Sequence, residues 1–464
     1  MSDGSIAISP PSIVANDRGK GSVRRHRWPT INHEPSSLRR RTLLSGFAAL
    51  AASAVIGGNQ VMAAVEQNAL KRRGVGLVAS DPERAFPQFT LFAPLFVENR
   101  NVYLIDLGSN IAHTWEMPYS PGLSGYLTER GTLFYNGRTP ESSFLNRFPF
   151  KGGSVLEADW NGKVLWEVHH PDHHDHGILL RNGNVLLNCM GKVPDEIARR
   201  AKGGMVESNM QSGQYAFRPK EEADHMYSDY LDELTPAGKT IWEWRTWEHL
   251  DPVSDGIAEV QAPRTLWAQG NSVEELPDGD ILASFRPTST VVRISRKTGE
   301  IVWKLGPPTV AGQHAPTLLA NGNVLIFDNG VHRLDDSVPY SRVIEINPAT
   351  NEIVWKYQDK PAWNFFSPRM GCAQRLPNGN TLITESSFGR FFEVTKEGEI
   401  VWEYVNPFLA SRPLVARQPL KATRSSARSV TAPRRLRGLE AQVEERARVT
   451  STTLGGFPCN TTGP

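Results

Sequence analysis

The chain has 464 residues, 39% of them hydrophobic and 39 of them glycine, which is the composition of a globular protein with room for one large core or several small ones and excludes general disorder. Its 51 Lys and Arg against 49 Asp and Glu leave a formal charge of +2, a balance that points to no nucleic-acid partner. That balance hides a division: residues 1–63 carry +5 and residues 409–464 carry +7, so the body between them is at −10. Cys189, Cys372 and Cys459 are far apart and odd in number, so their spacing gives neither a disulfide framework nor a Cys-x-x-Cys metal site.

Taken in chain order, the first segment reads as a targeting signal. Arg39, Arg40 and Arg41 precede a mildly apolar stretch of Ala, Leu and small residues from Leu43 to Ile56, and Val61-Met62-Ala63 offers a small-residue cleavage site. The paired arginines resemble a twin-arginine signal, read as an address by an export machinery. The stretch is shorter than the roughly 20 apolar residues that span a bilayer comfortably. Export to the periplasm or medium is therefore the expectation, with an uncleaved membrane anchor as the alternative. Residues 1–36 carry the polar, Pro-, Ser- and Arg-rich pattern of a disordered segment.

From residue 64 to 408 the chain is a repeat. One motif is a turn between apolar runs, at Arg130-Gly131, Asn182-Gly183, Asp278-Gly279, Asn321-Gly322 and Asn378-Gly379; Asn-Gly and Asp-Gly are strong hairpin signals because both central residues can take positive φ. The other is a Gly or Asn turn leading into a β-branched strand that ends at Trp166, Trp242, Trp303, Trp355 or Trp402, with a degenerate first copy at Trp115. The two motifs alternate strictly, so each period holds four strands, and six Trp positions predict an all-β, six-bladed β-propeller with these Trp side chains packed in the blades. Asp195 to Lys202 is the best helix candidate, inside an insertion that runs from Pro194 to Asp224. After Phe408 both motifs stop. Residues 409–464 therefore read as a basic, disordered tail, and closure of the ring at the C-terminus is left open.

Candidate chemistry sits at the starts of the inner strands. Five of the 12 histidines fall between His169 and His176, and His314 stands before a later strand. Asp175, Asn271 and His314 each lie seven residues before their turn, which predicts equivalent places around the channel, and Arg286 adds a cation at a strand end. Imidazoles beside Asp175 could bind a transition metal, although successive strand residues face opposite ways and cannot all converge.

The ordered set Asn271-Ser272, Ser284-Phe285-Arg286, Gly312-Gln313-His314, Phe327-Asp328-Asn329-Gly330 and Tyr340-Ser341-Arg342 resembles the bacterial arylsulfotransferase (aryl-sulfate sulfotransferase) family, over about Leu91 to Phe408. The resemblance implies an exported six-bladed propeller that moves a sulfuryl group from an aryl sulfate to a phenolic acceptor through a sulfated histidine, without a nucleotide donor or other cofactor. It implies His314 as nucleophile and Arg286 as sulfate-binding cation, with His173 and His174 as supporting catalytic histidines and Asn271, Gln269, Asn329 and Arg342 around the substrate. The family's His-x-Asn-Ser motif begins here with Gln269, which can hydrogen-bond but cannot carry a proton, and a cysteine pair found near the nucleophile in some relatives is absent. The rival readings are a noncatalytic propeller that binds a ligand or a protein, and a metal-dependent propeller enzyme.

Overall fold

The computed structural model describes residues 74–408, apart from 96, 98, 142–143, 206–224 and 334–336, together with Thr450–Ser451. All of these belong to the compact unit Gln60–Pro464. The Arg39-Arg40 segment and its apolar stretch lie outside the described residues, as does most of the insertion before Asp224.

Strand β1 is Gly76–Ser80. The first blade holds β2 (Thr90–Phe92), β3 (Asn101–Ile105) and β4 (Ile111–Glu116), and the second holds β5 (Ser120–Leu127), β6 (Leu133–Arg138), β7 (Gly153–Ala158) and β8 (Val164–His169). The third comprises β9 (His173–Leu179), β10 (Val185–Lys192), β11 (Tyr227–Leu234) and β12 (Thr240–Arg245). The fourth comprises β13 (Gly270–Glu275), β14 (Ile281–Phe285), β15 (Thr290–Ile294) and β16 (Ile301–Leu305). In the fifth are β17 (His314–Leu318), β18 (Val324–Asp328), β19 (Arg342–Asn347) and β20 (Glu352–Tyr357), and in the sixth β21 (Cys372–Arg375), β22 (Thr381–Glu385), β23 (Arg390–Val394) and β24 (Ile400–Val405). Six sheets result, antiparallel in every pair but one, and form the all-β six-bladed propeller read from the repeat. The expected helix is a single turn, Asp195–Ala198.

Closure uses both termini. β1 pairs antiparallel with β24 and makes the sixth sheet five-stranded, while β25 (Thr450–Ser451) runs parallel to Thr90–Leu91 of β2 as the innermost strand of the first blade. Of the 409–464 segment only those two residues are described.

The hairpin turns differ from the sequence expectation in one respect. Only the glycine takes positive φ: 84° at Gly183, 89° at Gly279, 83° at Gly322 and 89° at Gly379, whereas the preceding Asn or Asp does not. The Leu180 N–H donates to Asn184 O at 2.8 Å and the Gly183 N–H to Leu180 O at 2.9 Å, and the same pair recurs at Leu276, Leu319 and Leu376. This is a tight turn closed by a left-handed glycine bulge, in which Asn is chosen for its side chain rather than for its φ.

That side chain reaches the third strand of the blade. Asn182 and Asn184 donate to Glu233 Oε1 at 2.9 and 2.7 Å, and Asn321 and Asn323 to Glu345 Oε1 at 2.9 and 2.7 Å. In the fourth blade the polarity is exchanged: the turn residues are Asp278 and Asp280, and the third-strand residue is Arg293, whose Nε donates to Asp280 at 2.8 Å. Each third-strand charge lies opposite the motif tryptophan, as Glu233 does Trp242, Arg293 does Trp303 and Glu345 does Trp355. Trp166, Trp242, Trp303 and Trp355 are half-buried rather than core residues, whereas Trp115 and Trp402 are fully enclosed. Several indoles stitch one blade to the next: Trp303 donates to Asn351 Oδ1 at 2.9 Å, Trp355 to Lys396 O at 2.7 Å and Trp402 to Leu107 O at 2.9 Å. In the first blade the register puts His113, not Trp115, at the motif position, opposite Leu104.

Candidate functional site

The inner strands are irregular where the candidate residues stand. In β9 the ladder breaks between His173 and Gly177, leaving residues 174–176 to face Asn188, and in β17 it breaks between His314 and Thr317. Asp175 and Ala315 sit in these breaks with φ of 49° and 48°. Such bulges re-aim side chains and leave backbone groups without ladder partners. Counting back from the turn therefore brings Asp175, Asn271 and His314 to the same end of their blades without giving them the same orientation.

Some of the predicted polar residues are occupied in joining blades. His176 Nδ1 accepts the Val273 N–H at 2.8 Å, linking β9 to β13, and Asn271 Nδ2 donates to Gln313 O at 2.8 Å, linking β13 to β17. Arg342 is engaged as well: its Nε donates to Asp328 Oδ2 at 2.7 Å and a terminal nitrogen to Thr309 O at 2.8 Å. Asp328 Oδ1 in turn accepts the Ala311 N–H at 2.8 Å, at the base of the loop that carries His314. Arg342 thus braces that loop.

His314 is 7% exposed. Its Nδ1 lies 2.8 Å from Asn329 Oδ1 and 3.2 Å from Gly312 O, both acceptors, so Nδ1 carries the hydrogen and Nε2 the lone pair. The amide orientation of Asn329 is fixed independently, because its Nδ2 donates to Ser367 O at 2.7 Å and Met370 O at 2.9 Å. Asn329 therefore sets the tautomer of His314, and both hydrogens of its amide are engaged by backbone carbonyls. His314 Nε2 accepts the Met370 N–H at 3.2 Å. Burial, with the Arg286 charge adding to it, lowers the His314 pKa to about 3, so the imidazole is neutral at physiological pH.

Arg286 follows β14 and is buried against Glu259, with NH1 2.6 Å from Oε2 and NH2 donating to Oε1 at 2.9 Å. Its Nε is buried and has no partner among the described residues, which leaves one N–H for an anion. Its charge also reaches His332, whose Nε2 is 2.9 Å from Ser289 Oγ, and the same hydroxyl accepts the Gly312 N–H at 3.0 Å. Gln269 is buried at φ 43°, and its carbonyl accepts the Arg286 N–H at 3.2 Å.

The histidine cluster does not converge. His173 is fully buried and its Nδ1 accepts the Gly153 N–H at 3.0 Å; burial holds its pKa well below the usual value. His174, also fully buried, is clamped between carboxylates, with Nε2 2.8 Å from Asp229 Oδ1 and Nδ1 3.2 Å from Asp175 Oδ2. Burial opposes its charge, but the two carboxylates outweigh that and raise the pKa to about 9. His169 pairs with Glu167, and His170 lies near Cys189 and Asp232. Among the described residues no group of three or more His, Cys, Asp or Glu is placed to hold a metal ion. Glu259, Asp229 and Met370 were invisible in the sequence, since none lies in a repeat motif or near His314 along the chain.

The propeller thus holds a buried histidine of fixed tautomer within reach of the charge of Arg286, whose Nε has no partner among the described residues. The profile of the arylsulfotransferase (ASST) family matches residues 150–407, more than half of the chain, and the chain belongs to that family. No curated protein matches it in sequence. Similar solved structures include a Bacteroides caccae protein of unknown function (14% identity, TM-score 0.40, 69% of this chain and 94% of that one). They also include a Staphylococcus aureus virginiamycin B lyase (12%, TM-score 0.36, 69% and 85%) and Kuenenia stuttgartiensis hydrazine synthase (11%, TM-score 0.38, 69% and 87%).

Proposed function

We propose that the protein transfers a sulfuryl group from an aryl sulfate to a phenolic acceptor through a covalent intermediate on His314 Nε2. The observation that carries this reading is the pairing of Nδ1–H with Asn329, which leaves Nε2 as the lone pair of a neutral imidazole. In the first half-reaction Nε2 attacks sulfur, the bond from sulfur to the phenolic oxygen breaks, and the phenolate departs with a proton from the protein. In the second, the acceptor oxygen attacks the same sulfur, the sulfur–nitrogen bond breaks, and the acceptor's proton returns to the protein. The Arg286 Nε–H is the donor for the sulfuryl oxygens, where charge must be held in both transition states. The Met370 N–H now on Nε2 has to give way to the incoming sulfur. The transfer needs no nucleotide and no cofactor.

The test is incubation of purified protein and its His314→Ala variant with an aryl sulfate carrying labelled sulfur, with and without a phenol. Acid-labile label and phenol sulfation are expected in the parent and neither in the variant; undiminished sulfation by the variant sinks the mechanism. A second reading, a propeller that binds its ligand without turning it over, draws on the Glu259 carboxylate that neutralises Arg286 and on Gln269. It predicts saturable binding of aryl sulfates with no label on the protein. Export through the twin-arginine route, ending in the periplasm or medium, completes the proposal and rests on Arg39 and Arg40.

A further inference from the structure

Sulfuryl transfer through His314 moves a proton twice, and the residues named so far are not placed to carry it. His314 keeps its Nδ1 hydrogen on Asn329, Gln269 has no ionisable proton, and His173 is fully enclosed. Both nitrogens of His174 face carboxylates, so it cannot meet a phenolic oxygen itself. Asp175 differs. Its side chain retains 9% exposure where that of His174 has none, and it sits in the β9 bulge at φ 49°, a conformation Asp tolerates better than most residues. The Arg286 charge acts on both Asp175 and His314, and the backbone links the two sides: Gln269, whose carbonyl accepts the Arg286 N–H at 3.2 Å, directly precedes Gly270, whose N–H binds Asp229. Behind it runs a chain of close contacts: Asp175 Oδ2 to His174 Nδ1 at 3.2 Å, His174 Nε2 to Asp229 Oδ1 at 2.8 Å, and the Gly270 N–H donating to that same oxygen at 2.6 Å.

Resting on the sulfotransfer reading, we infer that Asp175 is the group that exchanges the proton with the leaving and accepting phenols, with His174, held by Asp229, as its positioning residue and proton store. The charged groups acting on Asp175 are His174 from its own strand, Asp229 from β11 and Arg286 after β14. Burial raises the Asp175 pKa and the His174 and Arg286 charges oppose it, while His174 is raised to about 9, so the pair keeps a shared proton at neutral pH. As the donor's S–O bond breaks, the one proton the pair shares passes through the Asp175 carboxyl to the phenolate, leaving the Asp175 carboxylate beside a neutral His174. When the acceptor phenol attacks, its proton goes to Asp175 and the Nδ1 proton is restored.

The experiment compares phenyl sulfate with 4-nitrophenyl sulfate in the full chain. The 4-nitrophenolate leaves without protonation and the phenolate does not. In Asp175→Asn the ratio of the phenyl to the 4-nitrophenyl rate should fall on the order of a hundredfold, the usual worth of a general acid. Asp175→Glu, which keeps a carboxyl, should recover most of that ratio, and His174→Gln should displace the pH profile for phenyl sulfate. An Asp175→Asn protein that slows both donors equally, or neither, overturns the assignment. If the parent protein takes no label from 4-nitrophenyl sulfate on His314, the sulfotransfer reading itself fails, an outcome distinct from a change in donor selectivity.

Discussion

Replacing Asn329 by Asp tests the tautomer lock directly. The carboxylate would still accept the His314 Nδ1–H, whose nitrogen lies 2.8 Å from the present Oδ1, but it would add a negative charge beside an imidazole whose pKa is about 3. With the charges about 4 Å apart and an effective dielectric of about 20, the attraction is about 4 kcal/mol, or roughly 3 pK units. The His314 pKa should therefore climb from about 3 towards the unperturbed range of about 6. Because the Ser367 and Met370 carbonyls lose their donor and disfavour charge on the introduced carboxylate, this shift is an upper bound. A carbon- or nitrogen-detected NMR titration of labelled histidine reads it independently of any reaction. In the assay the acid limb of kcat/KM should move up by a similar interval, since an imidazolium has no lone pair for sulfur. A His314 that stays neutral to pH 4 in Asn329→Asp would refute the assignment of Nδ1 as the protonated nitrogen.

Three further outcomes are expected. Arg293→Glu should lower stability by about 1–2 kcal/mol, with the half-exposed setting of Arg293 keeping the effect modest, and adding Asp278→Asn and Asp280→Asn should recover most of it in urea titrations; no recovery would dismiss the exchange of polarity between blades. Stability should fall as the pH drops below about 6.5: His176 and His314 have folded values of about 3, so the unfolded chain binds more protons and each group costs about 1.4 kcal/mol per pH unit. His174 acts in the opposite sense, its folded value of about 9 giving stability that is fully present below about 6.5 and lost as the pH rises towards 9, so urea midpoints should peak near pH 6.5; a maximum below pH 5 would contradict the first sign and one at or above pH 9 the second. Replacing Arg39 and Arg40 by Lys should hold the precursor in the cytoplasm, and unchanged export would remove the twin-arginine reading.

The blades were legible because their turns and outer strands solve the same local problem in each copy. A left-handed glycine and two short polar side chains must close each hairpin, and an aromatic must cap the charge they bind, so the pattern recurs wherever the geometry does. Even the exchange of Asn182 and Asn184 for Asp278 and Asp280 is visible in the sequence, once Glu233 and Arg293 are known to face them. The closing strands were not legible. β1 joins β24 as a fifth strand and β25 contributes two residues, and ladder pairing through backbone groups alone leaves no motif to read. The first blade misled by two residues, because His113 fills the position that Trp occupies elsewhere.

The site was legible only in part, for a reason that lies in the ring itself. Inner strands of neighbouring blades meet near the axis, and their bulges leave backbone N–H and C=O groups that no ladder satisfies. Buried groups of that kind require partners, so side chains such as His176 and Asn271 are retained to bind Val273 and Gln313 across the blade boundary. A row of polar residues at equivalent strand starts is thus what a closed propeller needs whether or not it catalyses anything. Chemistry has to be sought in what remains after those bonds are made. At this end of the blades that remainder includes the lone pair of His314 beneath the Met370 amide, the Nε of Arg286, unpartnered among the described residues, and the partly exposed carboxyl of Asp175. On the proposed sulfuryl transfer these three would serve as nucleophile, anion donor and proton carrier.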